Sequence, residues 1–300
     1  MKYEEIIIPS ADGYSLSARI FNCENPKAVI KCIHGMEEHQ DRYVPFADFL
    51  AKNGYVVVTS DMRGHGVNAP TLSHIADKKG DKLLMEDEDA IRQYISEHFP
   101  KLPKYLFGHS MGTIIARRVL QEHSKDYDKV VLSGYPNPQG VASLGIGVSA
   151  IIGLFKKRSG KSKMLDGMVT GPFAKAVENR KTDLDWLSYN EENVTKYIED
   201  PLCGVPFTIG SYNALFHLIS DIHNPKKYKN VKENLPMYLI SGMDDPCTGG
   251  EKGRELSISI LQKAGFNNLE VKTLEGMRHE ILNETNKKEV YQLILDFLNK

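Results

Sequence analysis

Short apolar segments alternate with amphipathic helical patterns along most of the 300-residue chain, and this alternation restricts the folds open to it. The segments 28–35 and 55–61 have the length and β-branched content of buried strands, and helical patterns at 42–54 and 85–100 follow them. Strands that alternate with helices form a mainly parallel sheet with helices on both faces. The sequence therefore predicts an α/β fold, preceded by a β-hairpin within residues 4–21.

The alternation stops between residues 135 and 232 and resumes with a strand pattern at 237–242. The intervening stretch has mostly helical patterns, separated by Gly-Pro, Asp-Pro and Asn-Pro pairs that mark loops. An insertion late in a parallel sheet emerges near the carboxyl ends of the strands, where such sheets bind ligands. We therefore predict a core made of residues 1–134 and 233–300, with a helical cap at 135–232.

Composition narrows the possible partners and the location of the protein. The net charge of −1 gives no overall field that would favour nucleic acid or a membrane. No apolar run reaches the ~18–20 residues that span a bilayer, and the start of the chain lacks the apolar segment of a secretory signal. Four widely spaced cysteines argue against a disulfide framework. These features predict a cytoplasmic protein that does not bind nucleic acid.

The pentapeptide Gly-His-Ser-Met-Gly at 108–112 lies between a strand pattern and a helix pattern. A turn this sharp strains the backbone of its central residue, and glycine on either side relieves the crowding. Ser110 is expected to project above the sheet, and the amide of Met111 then lies at a helix start, where free N–H groups favour negative charge. We interpret Ser110 as a nucleophile; a chance motif on a flexible turn is the alternative.

A serine nucleophile needs a histidine base and an acid that orients the base. In this class of fold the acid and then the histidine follow the serine along the chain. Of the ten histidines, only His279 follows the loop at 241–246, and it comes just after the last strand pattern. Asp244 and Asp245 are both candidates for the acid. Pro246 favours an extended backbone at the residue before it, which suits a fixed side chain at 245 but barely separates the two.

The oxyanion of an acyl-transfer intermediate requires two N–H donors. The amide of Met111 is one candidate, and the loop after the strand at 28–35 should supply the other. Gly35 in that loop lets the backbone approach a substrate, and the N–H of Met36 is expected to point toward it. His34 and His39 could instead be metal ligands, but their spacing is that of a loop and no acidic third ligand is evident.

Several segments together resemble the monoacylglycerol lipase and lysophospholipase branch of the α/β-hydrolase superfamily, and the resemblance covers nearly the whole chain. The segment HGMEEHQDRY resembles the HG-x-x-EH-x-x-RY oxyanion loop of that branch, and GHSMG resembles its nucleophile elbow. DMRGHG, SGMDDP and GMRHEILNE resemble its D-x-x-GHG turn, its SG-x-x-DP acid loop and its histidine segment. TDLDWLSYN and YIEDPLCG resemble cap segments of bacterial members.

The resemblance implies an α/β-hydrolase fold and a triad of Ser110, His279 and Asp245, because the second aspartate of the acid loop is the triad member. It also implies an oxyanion hole formed by the amides of Met36 and Met111. Hydrolysis would proceed through an acyl-enzyme without a metal or an organic cofactor. The expected substrates are small-molecule acyl esters of lipid type, such as monoacylglycerol or lysophospholipid.

The predicted cap suggests how such a substrate is held. The apolar segment 140–155 precedes a basic cluster at 156–163, which would suit a lid that transiently touches an anionic lipid surface. A cap helix over the pocket, beside a solvated charged loop, is the alternative. The segment 207–219 is expected to line the same cavity. These features favour medium or long acyl chains and leave the oligomeric state open.

Other functions share the same motifs. A proline-type aminopeptidase would need an acidic anchor for a free amino terminus, and the acids of 191–200 are candidates. A short-chain carboxylesterase or an acyltransferase would use the same acyl-enzyme. A non-catalytic binding protein is the least favoured alternative, because no catalytic position is missing from the sequence.

Overall fold

The computed structural model describes residues 2–137 and 141–300. Within this part of the chain, eight strands form one sheet in the order β1-β2-β4-β3-β5-β6-β7-β8. From β4 to β8 all neighbouring strands are parallel, whereas β1 pairs with β2, and β2 with β4, in antiparallel fashion. The strands are β1 (Glu4–Pro9), β2 (Ser15–Phe21), β3 (Ala28–Ile33), β4 (Tyr55–Ser60), β5 (Lys104–His109), β6 (Lys129–Ser133), β7 (Met237–Gly242) and β8 (Leu269–Leu274).

The predicted α/β fold and the N-terminal hairpin are confirmed. The hairpin is formed by β1 and β2, with Glu4 opposite Ile20 and Pro9 opposite Ser15. The helices of the described residues are α1 (Val44–Lys52), α2 (Gly80–His98), α3 (Met111–His123), α4 (Val141–Phe155), α5 (Lys163–Val169), α6 (Gly171–Lys175), α7 (Glu191–Glu199), α8 (Ile209–Ile222), α9 (Gly250–Ala264) and α10 (Lys287–Asn299).

Helix α2 begins at Gly80, five residues before the predicted start at 85. Gly80 lies against Ala214 of α8, and Leu84 in the next turn is buried. The first turn of α2 is therefore held by packing against a helix that is distant in sequence. The local pattern of residues 80–84 does not reveal this contact.

Successive side chains of a strand point to opposite faces of the sheet. In the central strands, helices cover both of these faces. In β6, Val130 and Leu132 join a core cluster with side chains of α3, α8 and α9. Val131 between them joins a second cluster, with side chains of α1 and α10. A third apolar cluster lies under α2, beside β1 and β2. The central strands β3, β4 and β7 are thus fully buried, whereas the edge strands β1 and β8 are largely exposed. The loops described in the next subsection follow the carboxyl ends of the central strands.

Helices α4 to α8 lie between β6 and β7. They differ in burial: Phe216 and Leu218 of α8 belong to the same core cluster as the sheet, whereas Leu154 and Phe155 of α4 are exposed. The predicted start of the apolar segment, Gly140, lies outside the described residues. Among the helices described, none combines the length and the apolar character needed to span a bilayer.

Candidate active site

Ser110 lies between the end of β5 and the start of α3, with φ 52° and ψ −121°. A positive φ is strained for a residue other than glycine, and such strain commonly occurs at functional sites. The two flanking glycines explain how the turn is accommodated. A Cβ at Gly108 would lie 2.5 Å from the carbonyl oxygen of Gly112, and a Cβ at Gly112 would lie 2.2 Å from that of Ile33. The tight turn therefore requires glycine at both positions.

Asp245 and His279 form a buried pair. Nδ1 of His279 lies 3.0 Å from Oδ2 of Asp245, and Oδ1 of Asp245 accepts the main-chain N–H of Cys247 at 2.8 Å. Asp244, the other candidate, is exposed, and its carboxylate instead accepts the hydroxyl of Tyr189 at 3.1 Å. The fold thus brings to His279 the aspartate that the family resemblance implied, whereas the residue pattern alone had left the two open.

The pKa of His279 is raised above its ordinary value of 6.5. Burial acts to lower this pKa, but the charge and the hydrogen bond of the Asp245 carboxylate outweigh burial. With Nδ1–H donating to Asp245, Nε2 of the neutral ring carries a free lone pair. Ser110 and His279 line the same cavity, which has a volume of about 270 Å³. A histidine paired with a carboxylate and a serine with a strained backbone therefore line one cavity.

Met36 and Met111 line this cavity as well. Met111 is the first residue of α3, where a main-chain N–H has no acceptor within its own helix. The N–H of Met36 finds no acceptor among residues 2–137 and 141–300. A Cβ at Gly35 would lie 3.2 Å from the Cβ of Ser110, so the loop before Met36 approaches the serine closely. Two unused N–H donors therefore belong to the two segments that meet at Ser110.

Three charged residues, here called the ion cluster, lie at the site: Glu38 and Glu280, which are buried and line the same cavity, and the largely buried Arg42. Arg42 donates to Oε2 of Glu38 at 2.8 Å and to both carboxylate oxygens of Glu280 at 2.5 and 2.6 Å. Oε1 of Glu38 accepts the N–H of Gly35 at 2.6 Å. Burial acts to raise the pKa of both carboxyl groups, but the Arg42 guanidinium holds each pKa below its ordinary value. The ion cluster thus connects the loop at Gly35 to the residue after His279.

His34 and His39 have separate partners. Nδ1 of His34 lies 2.7 Å from the carbonyl oxygen of Gly35, and Nε2 accepts the N–H of Met62 at 3.0 Å. Burial lowers the pKa of His34 to about 4, so this ring is neutral. Nε2 of His39 lies 2.9 Å from Oδ2 of Asp200. His39 also lies near Cys203, and Asp245 and His279 lie near Cys247, at spacings that a metal could use. In each group the histidine already pairs with the carboxylate, His39 with Asp200 and His279 with Asp245.

A family described as serine aminopeptidase, S33, matches residues 24–286 of the chain. The chain belongs to this family. It is 25% identical over 276 residues to a monoacylglycerol lipase of Mycolicibacterium smegmatis, covering 91% of this chain and 86% of the relative. It is 24% identical over 282 residues to the phospholipase YtpA of Bacillus subtilis, covering 93% and 98%.

A solved thermostable carboxyl esterase from Bacillus coagulans, in complex with glycerol, superimposes with a TM-score of 0.92 at 27% identity, covering 100% and 98% of the two chains. These findings confirm that this S33-family protein is an α/β-hydrolase of the monoacylglycerol lipase branch. They support a carboxylic ester hydrolase.

The cavity of this S33-family protein is mainly apolar. Three of its lining side chains, Leu215, Phe216 and Ile219, come from α8, within or at the end of the segment 207–219 that was expected to line it. The other apolar residues of the lining include Met168, Val169, Phe173, Leu184, Trp186 and Leu187. Glu37 is a polar exception that the sequence analysis did not single out. Its only sequence signal is a second glutamate beside Glu38 in the loop after β3.

Within the described chain, the acidic side chains of residues 191–200 do not line this cavity. Glu191 and Glu192 are exposed and pair with Lys181 and Lys196 at the surface. From this stretch, Tyr197 is the residue that contributes to the cavity lining within the described chain. The aminopeptidase alternative requires one of these acids to bind a free amino terminus near Ser110. None of them lines the cavity that contains Ser110 in the described part of the chain.

Proposed function

We propose that this protein is a serine hydrolase that cleaves carboxylic esters of monoacylglycerol or lysophospholipid type, with Ser110 as the nucleophile. The observation that carries the proposal is the buried pair of Asp245 and His279 at a cavity that also contains Ser110. The lipase, phospholipase and esterase relatives support the same class of reaction. The mainly apolar lining of the cavity supports an acyl chain as the group it holds.

In the first half of the reaction, Oγ of Ser110 attacks the ester carbonyl carbon while Nε2 of His279 takes the hydroxyl proton. The N–H groups of Met36 and Met111 stabilise the oxyanion of the tetrahedral intermediate. Asp245 holds the ring in the tautomer with Nδ1–H and stabilises the imidazolium. The imidazolium then protonates the leaving alcohol, and the acyl group remains on Ser110.

In the second half, Nε2 of His279 takes a proton from water, and the resulting hydroxide attacks the acyl carbon. The second tetrahedral intermediate collapses with return of a proton to Oγ of Ser110, and the fatty acid leaves. Protons thus move from Ser110 through His279 to the leaving alcohol in the first half, and from water through His279 back to Ser110 in the second. An alcohol that replaced water in this step would give acyl transfer instead of hydrolysis.

The helices between β6 and β7 are proposed to act as the cap, with residues 135–232 as its bounds. In α4, Leu154 and Phe155 are 77% and 85% exposed, and a basic stretch at 156–163 follows them. Exposed apolar side chains beside basic ones suit transient contact with an anionic lipid surface. The protein would then be cytoplasmic and peripheral to the membrane.

Vesicle binding tests the proposed membrane contact. We expect the protein to sediment with phosphatidylglycerol vesicles and not with phosphatidylcholine vesicles, and we expect Leu154→Glu with Phe155→Glu to abolish sedimentation. Equal sedimentation of the protein and the double variant would rule out this role for α4.

The central experiment compares the protein with Ser110→Ala on p-nitrophenyl esters from acetate to palmitate. We expect a burst of p-nitrophenol from the acyl-enzyme, a rate optimum at the longer chains, and loss of hydrolysis in the variant. An optimum at acetate would instead indicate a short-chain carboxylesterase. Failure of the folded protein to hydrolyse any ester, combined with cleavage of amino-acid amides, would favour the aminopeptidase alternative.

A further inference from the structure

Glu37 has a strained backbone and a buried carboxyl group. It follows Met36 directly and has φ 57°, in the left-handed region that favours glycine. Its side chain is nevertheless well enclosed, since the residue is only 8% exposed. A non-glycine residue held in this region beside a reactive site indicates a functional constraint on its side chain.

The hydrogen bonds of Glu37 leave one carboxyl oxygen unused. Oε1 accepts the N–H of Phe207 at 3.0 Å, and the main-chain oxygen accepts the hydroxyl of Tyr197 at 2.8 Å and the N–H of Gly204 at 2.9 Å. Oε2 has no hydrogen-bond partner in the part of the chain described here. Glu37 lines the cavity that contains Ser110, so this oxygen is available to a bound molecule.

The charges around Glu37 are mainly negative. Asp166 of α5 lies near it and accepts the hydroxyl of Tyr212 at 2.8 Å. Lys161 is exposed and acts only weakly in the opposite direction. Burial first, and then Asp166, raise the pKa of Glu37 to about 8, so the carboxyl group is mostly uncharged at neutral pH. Glu37, Asp166 and Tyr212 are here called the polar corner.

We propose that Glu37 selects the alcohol portion of the substrate, favouring a neutral, hydroxyl-bearing alcohol such as glycerol over one that carries an anionic phosphate. This inference rests on the proposed ester hydrolase function. Glu37 directly follows Met36, whose N–H stabilises the oxyanion in the proposed mechanism, and the other lining residues are mainly apolar, with Glu38 and Glu280 held by Arg42. The hydroxyl groups of a short polyol can therefore reach Oε2 while the acyl chain occupies the apolar lining.

An anionic head group meets two obstacles in the polar corner. A protonated carboxyl group both donates and accepts hydrogen bonds, which matches a hydroxyl group. A phosphate dianion could accept the proton of Oε2, but the Asp166 carboxylate repels its negative charge. Repulsion increases when Glu37 loses its own proton. The preference for the neutral substrate should therefore grow with pH across the pKa of Glu37.

The test measures fatty acid release from 1-myristoylglycerol and from 1-myristoylglycerol 3-phosphate, as the ratio of the two kcat/KM values. We expect the protein to favour the neutral ester, and Glu37→Gly to lower the ratio about tenfold, the effect of one hydrogen bond together with one charge repulsion. Glycine suits φ 57°, so this variant should fold, which thermal unfolding checks. Glu37→Gln keeps a neutral donor and acceptor and should retain most of the preference near neutral pH.

The pH profile separates selection by Glu37 from a structural role. Between about pH 7.5 and about pH 9 the phosphate is already a dianion, since its second pKa is about 6. We expect the ratio to rise over this range for the protein and to stay flat for Glu37→Gln. Active enzyme with a flat ratio, or a preference for the anionic ester, would overturn the inference and leave the hydrolase intact. If neither ester is hydrolysed, it is the proposed function that fails.

Discussion

Glu37 and Glu38 are neighbours in one loop, and both are more than nine-tenths buried. The pKa values of their carboxyl groups are nevertheless shifted in opposite directions. In the polar corner, the one cation near Glu37 among the described residues is the exposed Lys161, and the pKa of Glu37 is raised to about 8. In the ion cluster, Glu38 faces Arg42 at 2.8 Å, and its pKa is lowered. Burial acts in the same direction on both groups. What differs is the partner, so the partner decides which glutamate is charged in the folded protein.

The difference separates two tasks within one loop. The ion cluster holds the loop in place, because Glu38 accepts the N–H of Gly35 and Arg42 joins it to Glu280, next to His279. In the polar corner, Oε2 of Glu37 has no partner among residues 2–137 and 141–300, and we propose that it contacts the substrate. Glu38 has hydrogen-bond partners on both carboxylate oxygens and therefore supports the geometry of the site. Glu37 has one carboxyl oxygen without a partner in the described chain, which suits it to binding a substrate. The predictions below test this contrast, from the largest effect to the smallest.

The largest effect is expected from Arg42→Met. The variant leaves Glu38 and Glu280 buried together without a cation, and breaking a buried pair in this way typically costs about 3–5 kcal/mol of the free energy of unfolding. Urea denaturation at neutral pH measures the loss. Arg92→Met is the matched control, because Arg92 pairs with Asp89 and Asp126 near the surface and should cost less than about 1 kcal/mol. Equal losses of unfolding free energy in the two variants would show that the buried ion cluster contributes no more to stability than the surface pairs of Arg92.

Glu38→Gln should reduce both stability and turnover. The amide oxygen can still accept the N–H of Gly35 and the hydroxyl of Tyr43, but the amide NH₂ would face the guanidinium of Arg42, donor against donor. We expect a loss of roughly 2–3 kcal/mol in unfolding free energy and roughly a tenfold fall in kcat with little change in KM. Steady-state kinetics on one p-nitrophenyl ester separates the two parameters. A change in KM alone would place Glu38 at the substrate instead.

The sequence singles out the proposed catalytic residues more readily than it singles out these two glutamates. Ser110 is identified by glycines within its own turn, and His279 by its order along the chain, so both are local or topological features. The residue pattern alone barely separates Asp244 from Asp245; the family resemblance implies Asp245, and the fold brings that carboxylate to His279. Glu37 meets Phe207 and Asp166, each more than 100 residues away, whereas Glu38 meets Arg42 only four residues on. Adjacent identical residues cannot be assigned opposite pKa shifts until those distant contacts are known.

At alkaline pH, Glu37→Gln should increase the free energy of unfolding, whereas Glu38→Gln should decrease it. A carboxyl group whose folded-state pKa is raised binds a proton more tightly in the folded state, so stability falls as pH rises from about 4.3, the unfolded value, to about 8. Replacing it with a neutral amide removes this loss. We expect a gain of roughly 1–3 kcal/mol near pH 8.5 and almost no change near pH 4, measured by urea denaturation at both values. A constant effect at both pH values would mean that Glu37 does not titrate in this range.

In the unchanged protein, Glu38 and Glu280 should make the free energy of unfolding fall as the pH is lowered, the reverse of the pH dependence expected from Glu37. Their folded-state pKa values are lowered, so their stabilising contribution is present above the unfolded pKa of about 4.3 and is lost as pH falls through the folded values. Acid unfolding should therefore shift to higher pH in Glu38→Gln, where part of that contribution is already missing. Circular dichroism during an acid titration measures the shift, with Glu37→Gln as the variant that should not show it.

The smallest effect is expected from Glu192→Gln, which tests a third glutamate, on the surface of α7. Glu192 pairs with Lys196, both side chains are more than 70% exposed, and solvent screens the pair. The unfolding midpoint should therefore stay within experimental error, in contrast with both changes in the loop after β3. The same variant addresses the aminopeptidase alternative, because Glu192 belongs to the acidic stretch considered as an anchor. Any cleavage of amino-acid amides should be unaffected by the change; a selective loss would mean that α7 reaches the substrate, and the contrast between buried and exposed glutamates would no longer describe function.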